Sequence, residues 1–289
     1  MTEVAAPVRP VIMPIGEEEA PEVAEFLHRH LNARISPKSW LAVLAPQWGG
    51  GPNHGFLLRS GDSVVGAYAA IYSRRTHDGQ EVNVCNLAAF CVLEQHRAHS
   101  LRLVRALLGQ KNFVFTDLSP SGNVPAMNER LGFATLPSAT RSTLNLPRIG
   151  GGARLIEHPD EIEGVLRGPD AVVFADHREA PAARHLVVQD AGRYAYLIYR
   201  RDRRKRLPLF ATTLYVGGDT GLLAENWAGV ASRLLRRGFI ATLAEERILG
   251  FTPGGWGFDV RHPRPRMFKG AVLPEDVDYL YSELTQLEW

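Results

Sequence analysis

The sequence predicts a mixed α/β fold, and three observations support this prediction. Residues 82–133 are predicted to form strand, helix, strand and helix in succession, with apolar alternation along the first strand. Residues 56–73 form two apolar runs around the turn Ser60-Gly61-Asp62, which predicts a hairpin. The aromatic and aliphatic run at 193–201 echoes the run at 69–75. The chain is therefore expected to contain two related α/β halves.

Before the central stretch, the sequence predicts one strand and two helices. Val11–Ile15 is a short apolar run, and the acidic residues Glu17–Glu19 favour the first turn of a helix. Ser36 followed by Pro37 predicts the start of a second helix, because serine caps and proline fits the first helical position. These helices should flank the first hairpin.

The central stretch contains the candidate active-site loop. A strand is expected over Glu81–Leu93, a helix over about 97–109 and a second strand over 112–118. The connection at residues 94–100 combines small residues with basic ones, and a turn at a helix start presents backbone N–H groups to anions. The same pattern also fits an ordinary connection between a strand and a helix.

Two segments resemble motifs of the GNAT (Gcn5-related) N-acetyltransferase superfamily. Gln95-x-x-Ala98-x-Ser100 resembles its Gln/Arg-x-x-Gly-x-Gly/Ala pyrophosphate loop. The segment from Asn123 to Phe133 is similar to its Asn-x-x-Ala-x-x-Tyr-x-x-x-Gly-Phe motif. The resemblance covers roughly residues 11–146 and implies a GNAT-like fold, with acetyl-CoA or another acyl-CoA as the co-substrate.

The resemblance also implies where the coenzyme binds. The backbone of the central strand would pair with the pantetheine arm, the loop would hold the pyrophosphate, and the last helix would contact the arm. The residues at the corresponding positions are Phe90, Cys91, Val92, Gln95, Arg97, Ala98, His99, Ser100 and Asn123. In this superfamily the glycine-rich loop after the first two helices borders the acceptor, so Trp48 and His54 either touch substrate or belong to a plain connector.

The expected acid and base residues depart from the superfamily pattern. Asn86 stands where many members have a glutamate base, and Asn128 stands where they have a tyrosine acid; asparagine serves neither role. Asp117 lies near the carboxyl end of the next strand, where open α/β sheets bind ligands. Asp117 is therefore the candidate carboxylate that orients or deprotonates an amine, unless it only caps the following turn.

The second half is predicted to be a diverged copy of the first. We place the division at residue 148, giving a GNAT-like acyl-CoA-binding domain at 1–148 and a diverged domain at 149–289 that ends in a helix from about Pro274. The basic run Arg200–Arg206 at a predicted hairpin tip is either a solvated turn or a docking patch, for an acidic partner such as an acyl carrier protein or for a phosphate-bearing acceptor.

Composition limits the other classes of function. A formal charge of +2 in 289 residues gives little reason to expect nucleic acid as a partner. No apolar run reaches the ~18 residues that cross a bilayer, so a cytoplasmic protein is expected. Cys85 and Cys91 lie about 20 Å apart on one regular strand and should not form a disulfide. No metal site is predicted.

The sequence thus predicts an acyltransferase that moves an acetyl or other acyl group from coenzyme A to an amine of a small molecule or protein. Two alternatives stay open. One is a non-catalytic binding or scaffold protein with the same fold, because fold does not fix function. The other is an acyltransferase that takes its acyl group from a carrier protein.

Overall fold

The computed structural model describes residues 9–77, 80–148, 152–204 and 207–288. The chain divides into two compact units. The first contains residues up to Leu118 together with Phe268–Ala271 and Tyr281–Glu283. The second contains Ser119–Met267, Val272–Leu280 and Leu284–Trp289. The chain thus first passes from one unit to the other after Leu118. The sequence instead predicts a division at residue 148, in a glycine-rich run. Residues 149–151 of that run lie outside the described residues. As a division into related copies, it stays a prediction.

The first unit has the expected alternation of strands and helices. Its elements are β1 (Val11–Pro14), α1 (Ala20–His30), α2 (Pro37–Leu44), β2 (Gly55–Ser60), β3 (Ser63–His77), β4 (Gln80–Val92), a 3₁₀ helix (Glu94–His99), α3 (Ser100–Leu108) and β5 (Val114–Asp117). Ser36 caps α2 as predicted, because its side chain accepts a hydrogen bond from the Ser39 amide.

The sheet of the first unit has the order β1-β2-β3-β4-β5, with residues 268–269 of a later strand beyond β5. Strands β1 to β4 are antiparallel, while β4 and β5 run parallel. Apolar side chains of α3, including Leu103 and Leu107, are fully buried.

The second unit holds all or part of the remaining described elements. It contains α4 (Val124–Arg130), β6 (Ala134–Thr135), β7 (Thr140–Leu144), β8 (Arg154–Ile156), α5 (Pro159–Val165), α6 (Pro169–His177), β9 (Arg184–Asp190), β10 (Arg193–Arg204), β11 (Leu207–Gly218), α7 (Thr220–Glu225), α8 (Trp227–Arg236), β12 (Ala241–Glu245), α9 (Glu246–Leu249), β13 (Gly257–Asp259), β14 (Met267–Lys269), a 3₁₀ helix (Pro274–Asp276) and α10 (Glu283–Gln286); β14 and α10 cross between the units. Its sheet has the order β13-β7-β12-β11-β10-β9-β8.

The predicted long C-terminal helix is wrong. Among the described residues from Pro274 to 288, only the short 3₁₀ helix and the four residues of α10 are helical. The predicted apolar positions, among them Val277, Leu280 and Leu284, are buried, but so is every residue from 279 to 287. A segment that is buried on all sides has no solvent-facing helical stripe, and the positive φ of 53° at Tyr281 interrupts helical geometry.

No helix in the described parts of the chain is long and apolar enough to cross a membrane.

A half-buried histidine, His185, makes the second unit sensitive to acid. The ring of His185 contacts the Tyr196 hydroxyl at 2.6 Å and the His177 carbonyl at 3.1 Å. Burial lowers the pKa of His185 to about 4, although the His177 carbonyl acts in the opposite direction. Between this value and about 6.5 the unfolded chain binds the proton more readily than the folded one, so stability falls as the pH drops.

We expect the free energy of unfolding to fall by up to about 3 kcal/mol between pH 7 and pH 4 because of this one group. Urea unfolding of His185→Gln should show a shallower pH dependence than the original chain. His158→Gln, at a histidine whose side chain is 66% exposed, should leave the slope unchanged. Equal slopes for His185→Gln and the original chain would contradict this assignment.

Candidate active site

The candidate site is built where β4 and β5 diverge. The two strands pair at Val84–Val114, Cys85–Phe115 and Asn86–Thr116, and no further β4–β5 pair follows among the described residues. Strand β4 continues to Val92, paired with β3 on its other side. In the described pairing, the β4 edge beyond Asn86 therefore has no strand neighbour on the β5 side, and its backbone groups can pair with an extended ligand.

A β-bulge at Ala88 helps to produce this divergence. Ala69 pairs with Ala89 and Ala70 pairs with Leu87, so Ala88 has no opposite residue on β3. A bulge bends its strand and re-aims the residues that follow. The strict alternation predicted for residues 82–92 therefore breaks at Ala88, because the sequence pattern does not reveal the inserted residue. Phe90, Cys91 and Val92, the predicted pantetheine-pairing residues, are half-buried on this edge.

The predicted phosphate loop follows directly, but it is more ordered than expected. Residues 94–99 form a 3₁₀ helix that leads into α3 at Ser100, so the helix does not begin at residue 97 as predicted. The His96 amide donates to the Leu93 carbonyl and the Ser100 amide to the Arg97 carbonyl, which leaves fewer free amides than an open turn would offer. Gln95 and Ala98 are exposed.

The basic side chains of this loop differ in their surroundings. The Arg97 side chain is 70% exposed, and its guanidinium lies 3.8 Å from the Glu94 carboxylate, a weak surface pair. His99 is half-buried and contacts Arg102 at 3.4 Å. Arg97 is thus available to an anion that approaches the end of β4.

Asp117 lies at the carboxyl end of β5, just past the last paired residue, and is buried. Its charge acts on the phenol of Tyr68, a buried residue of β3 that packs against Phe90 with ring centroids 4.7 Å apart. Burial, with Asp117 as a second cause, raises the pKa of Tyr68 well above its usual value. Tyr68 therefore keeps its proton at physiological pH. No sequence pattern points to Tyr68, since only the cross-strand register brings it to this site.

Asn86 is part of a buried polar cluster that is not predicted from the sequence. Its amide nitrogen donates to the Glu283 carboxylate at 2.6 Å, and its carbonyl accepts from the Thr116 hydroxyl at 3.0 Å. All three residues are almost fully buried, and all belong to the first unit. A carboxylate thus lies beside the position where a strand glutamate is expected, but Glu283 comes from the C-terminal segment, 197 residues away in sequence.

A cavity of about 490 Å³ lies in the first unit beside β3. Its lining includes Leu41 and Leu44 of α2 and residues 49–54 of the glycine-rich loop, and it is mostly apolar. His54 lines this cavity as well, and burial lowers its pKa while the charge of Glu17 opposes the shift. His54 is therefore neutral at pH 7.

Trp48 does not line this cavity but holds its wall. The Trp48 indole nitrogen donates to the Tyr72 carbonyl at 3.1 Å, and its ring packs edge-on against Tyr281. The Tyr72 hydroxyl in turn donates to Asn53 at 2.8 Å. Of the two residues predicted to border an acceptor, His54 faces the cavity and Trp48 supports it.

The remaining predicted residues belong to the second unit. Asn123 is exposed and precedes α4 without a side-chain cap, while Asn128 is buried within α4. In the basic run, Arg200 is buried and Arg201 lies 4.3 Å from the Phe239 ring centre, so neither offers a free charge at the hairpin tip. Lys205 and Arg206 lie outside the described residues.

We expect Asn86→Asp to destabilise the first unit. An aspartate here would replace the amide donor by a second carboxylate close to Glu283, and two buried carboxylates at hydrogen-bond distance cannot both ionise. Their shared proton has a raised pKa, so stability is retained at low pH and is lost as the pH rises through that pKa. Thermal unfolding from pH 5 to 8 would measure this loss.

The paired variant Asn86→Asp/Glu283→Gln should recover most of the stability, because it exchanges the amide and the carboxylate. A variant Asn86→Asp that is as stable at pH 8 as at pH 5 would contradict the coupling.

No protein-family model matches the chain, and no curated protein sequence matches it significantly. Solved structures do resemble it. A GCN5-related N-acetyltransferase from Anabaena variabilis ATCC 29413 superposes with a TM-score of 0.59 and 11% identity, covering 90% of this chain and 72% of that one. A GCN5-related N-acetyltransferase from Kribbella flavida gives 0.54 and 16%, with coverages of 91% and 71%.

Saccharomyces cerevisiae N-myristoyltransferase, solved with bound myristoyl-CoA, gives a TM-score of 0.51 and 10% identity and covers 100% of this chain and 88% of that one. At such identities the likeness concerns architecture alone. These superpositions show that the chain has the GCN5-related N-acetyltransferase fold.

Proposed function

We propose that the chain is an acyltransferase that moves an acyl group from coenzyme A to an amine. The open β4 edge from Leu87 to Val92 carries this proposal. Among the described residues no strand pairs with this edge on the β5 side, so its backbone groups can bind a ligand. The polar loop at residues 94–100 and the buried Asp117 lie at the ends of the same two strands. An extended pantetheine arm has amide groups at a spacing that suits such an edge.

The donor site would use the edge and the loop together. The arm would pair with β4 at Phe90, Cys91 and Val92, and the pyrophosphate would meet Arg97 and the start of α3, where Ser100 and Ala98 leave room for phosphate oxygens. The superposed yeast enzyme holds myristoyl-CoA, which supports an acyl-CoA donor in general. The length of the acyl chain is left open.

In the transfer step, the amine nitrogen attacks the thioester carbonyl, a C–N bond forms, the C–S bond breaks and coenzyme A leaves as a thiol. Asp117 would take the amine proton, directly or through water, and the same proton would then pass through water to the leaving sulfur. Backbone amides near the Ala88 bulge would stabilise the oxyanion. With its raised pKa, Tyr68 is suited to donate a hydrogen bond to the leaving sulfur rather than to surrender its proton.

Direct transfer suits this site better than a covalent relay. Burial raises the pKa of both cysteine thiols of the chain, Cys85 and Cys91, so both are neutral at pH 7. A neutral thiol is a poor nucleophile. Alignment of the amine and the thioester then supplies much of the rate enhancement.

The acceptor would enter the cavity beside β3. Its apolar floor fits an amine with an apolar body, and Glu17 at its rim attracts the ammonium form. Before attack the ammonium must lose a proton, and the neutral His54 in the same cavity would help to receive it.

We further propose that the two units are tandem copies of one fold. Strands β9 to β12 repeat the antiparallel, antiparallel and parallel pairing of β2 to β5. The second sheet also has a bulge, at Leu214, which lies two positions beyond Thr212, the last residue of β11 that pairs with β12. In the first sheet, Ala88 likewise lies two positions beyond Asn86, the last residue of β4 that pairs with β5. In the second unit, however, the Tyr279 amide donates to the Leu214 carbonyl, so the chain itself occupies that edge.

The two alternatives lead to different binding results. A non-catalytic relative would bind coenzyme A weakly or not at all. An enzyme that uses an acidic carrier protein would need a basic surface. In the run at 200–206, Arg200 is buried and cannot provide it. Among the described residues of this run, the exposed Arg203 and the half-buried Arg204 remain.

We expect calorimetric titration with acetyl-CoA to give saturable binding at one site per chain. One site is expected because Tyr279 already fills the equivalent edge of the second unit. Arg97→Ala should weaken binding roughly tenfold or more, since it removes a charge-assisted hydrogen bond to phosphate. Arg105→Ala, at an exposed arginine of α3, removes the same charge and is the matched control.

Equal affinities for the two variants would show that Arg97 does not contact the donor. The absence of binding at millimolar coenzyme would overturn the acyl-CoA proposal.

An active amine is first identified by measuring the release of free thiol from acetyl-CoA. With that amine, Asp117→Asn should lower kcat by roughly 10² or more with little change in the coenzyme affinity. Tyr68→Phe should lower kcat by a smaller factor, because a weak hydrogen bond to sulfur is lost. Asp62→Asn, at an exposed turn carboxylate, should have no effect. If Asp117→Asn raises KM for the amine at unchanged kcat, Asp117 orients the acceptor and another group takes its proton.

A further inference from the structure

The second unit contains a polar cavity of about 200 Å³ that plays no part in the proposed transfer. Its lining includes Arg148, Asn226, Gly229, Ser232, Arg233 and Arg236. The last four lie on α8 at a spacing of three or four residues, so they share one face of that helix. The cavity is thus a groove along α8, which Arg148 also lines.

The groove is strongly cationic. Three guanidinium groups line it, while no carboxylate occurs among the described lining residues. The nearby carboxylate of Glu157 contacts Arg233 at 2.5 Å and Arg237 at 2.9 Å, so it is already shared by two arginines. A concave site with this excess of positive charge attracts anions more strongly than a solvated surface run does.

Contacts with Ser232 of α8 order part of this groove. The buried hydroxyl of Ser232 accepts a hydrogen bond from the Arg148 backbone amide at 3.0 Å and from the Arg236 guanidinium at 3.4 Å. The Arg233 Nε is buried and makes no hydrogen bond to the described residues. Gly229 contributes no side chain, and a Cβ built there would meet open space. The groove therefore has directed donors and room for a ligand.

We propose that this groove binds the phosphate group of a small phosphorylated molecule. Guanidinium forks match the oxygens of a phosphate and bind them in pairs. A phosphate monoester carries close to two negative charges at pH 7, which suits three arginines better than a single carboxylate would. A cavity of about 200 Å³ accepts the phosphate and a small organic part. This site is independent of the donor site in the first unit.

The test is titration of the full chain with inorganic phosphate and with glycerol 3-phosphate at 150 mM salt. Binding is measured by calorimetry or NMR. We expect saturable binding, tighter for the ester, and at least a tenfold loss in Arg148→Gln/Arg236→Gln. The control Arg178→Gln/Arg193→Gln removes two exposed arginines from the same unit and the same net charge, and it should retain binding.

A second pair of variants tests the cavity without changing its charge. Gly229→Leu should block the groove, whereas Gly164→Leu places the same side chain on α5, where a Cβ also meets open space, and should leave binding intact. The proposal is overturned if the original chain shows no saturable binding, or if both members of either pair lose it equally.

Discussion

The first unit depends on one constraint, which is that β4 pairs with β5 only as far as Asn86 and Thr116. Beyond that pair the bulge at Ala88 bends β4, and the two strands no longer exchange backbone hydrogen bonds in the described pairing. Half of this central strand then has no strand neighbour on one edge in the described pairing, and buried backbone groups at such an edge need water or a ligand as partners. The loop at residues 94–100 and Asp117 follow directly from the two strand ends, so the polar groups collect beside this open edge.

The C-terminal segment reinforces both units by polar contacts rather than by a helix. In the first unit Glu283 accepts from Asn86, and in the second the Tyr279 hydroxyl contacts both oxygens of Glu245 at 2.6 Å. Burial raises the pKa of Glu245, while Tyr279, Arg247 and Arg266 oppose the shift. Such groups are stable in the interior only with their partners present. Asparagine at position 86 is therefore explained by Glu283, because an amide can donate to a carboxylate whereas a second carboxylate cannot.

The sequence predicted those parts of the fold that local signals determine. The Ser36 cap, the hairpin at Gly61 and the central strand and helix order all have short-range causes, and the structure confirms them. The bulge at Ala88, the role of Tyr68 and the contact between Asn86 and Glu283 depend on register and on pairing across almost 200 residues. No local pattern encodes them. The C-terminal prediction failed for a related reason, since apolar spacing suggests a helix even where a segment is buried on every side.

The same geometry explains how a GCN5-related fold tolerates asparagine at both expected acid and base positions. Transfer of an acyl group from a thioester to an amine demands alignment and an oxyanion site, both of which the strand backbone supplies regardless of side chain. Acid and base groups only have to lie within reach of the same two atoms, and they need not occupy fixed positions in the sequence. In the proposed transfer, Asp117 and Tyr68 would meet that condition from β5 and β3, the strands on either side of β4. The backbone of β4 is thus the fixed element, and the polar side chains around it are the variable one.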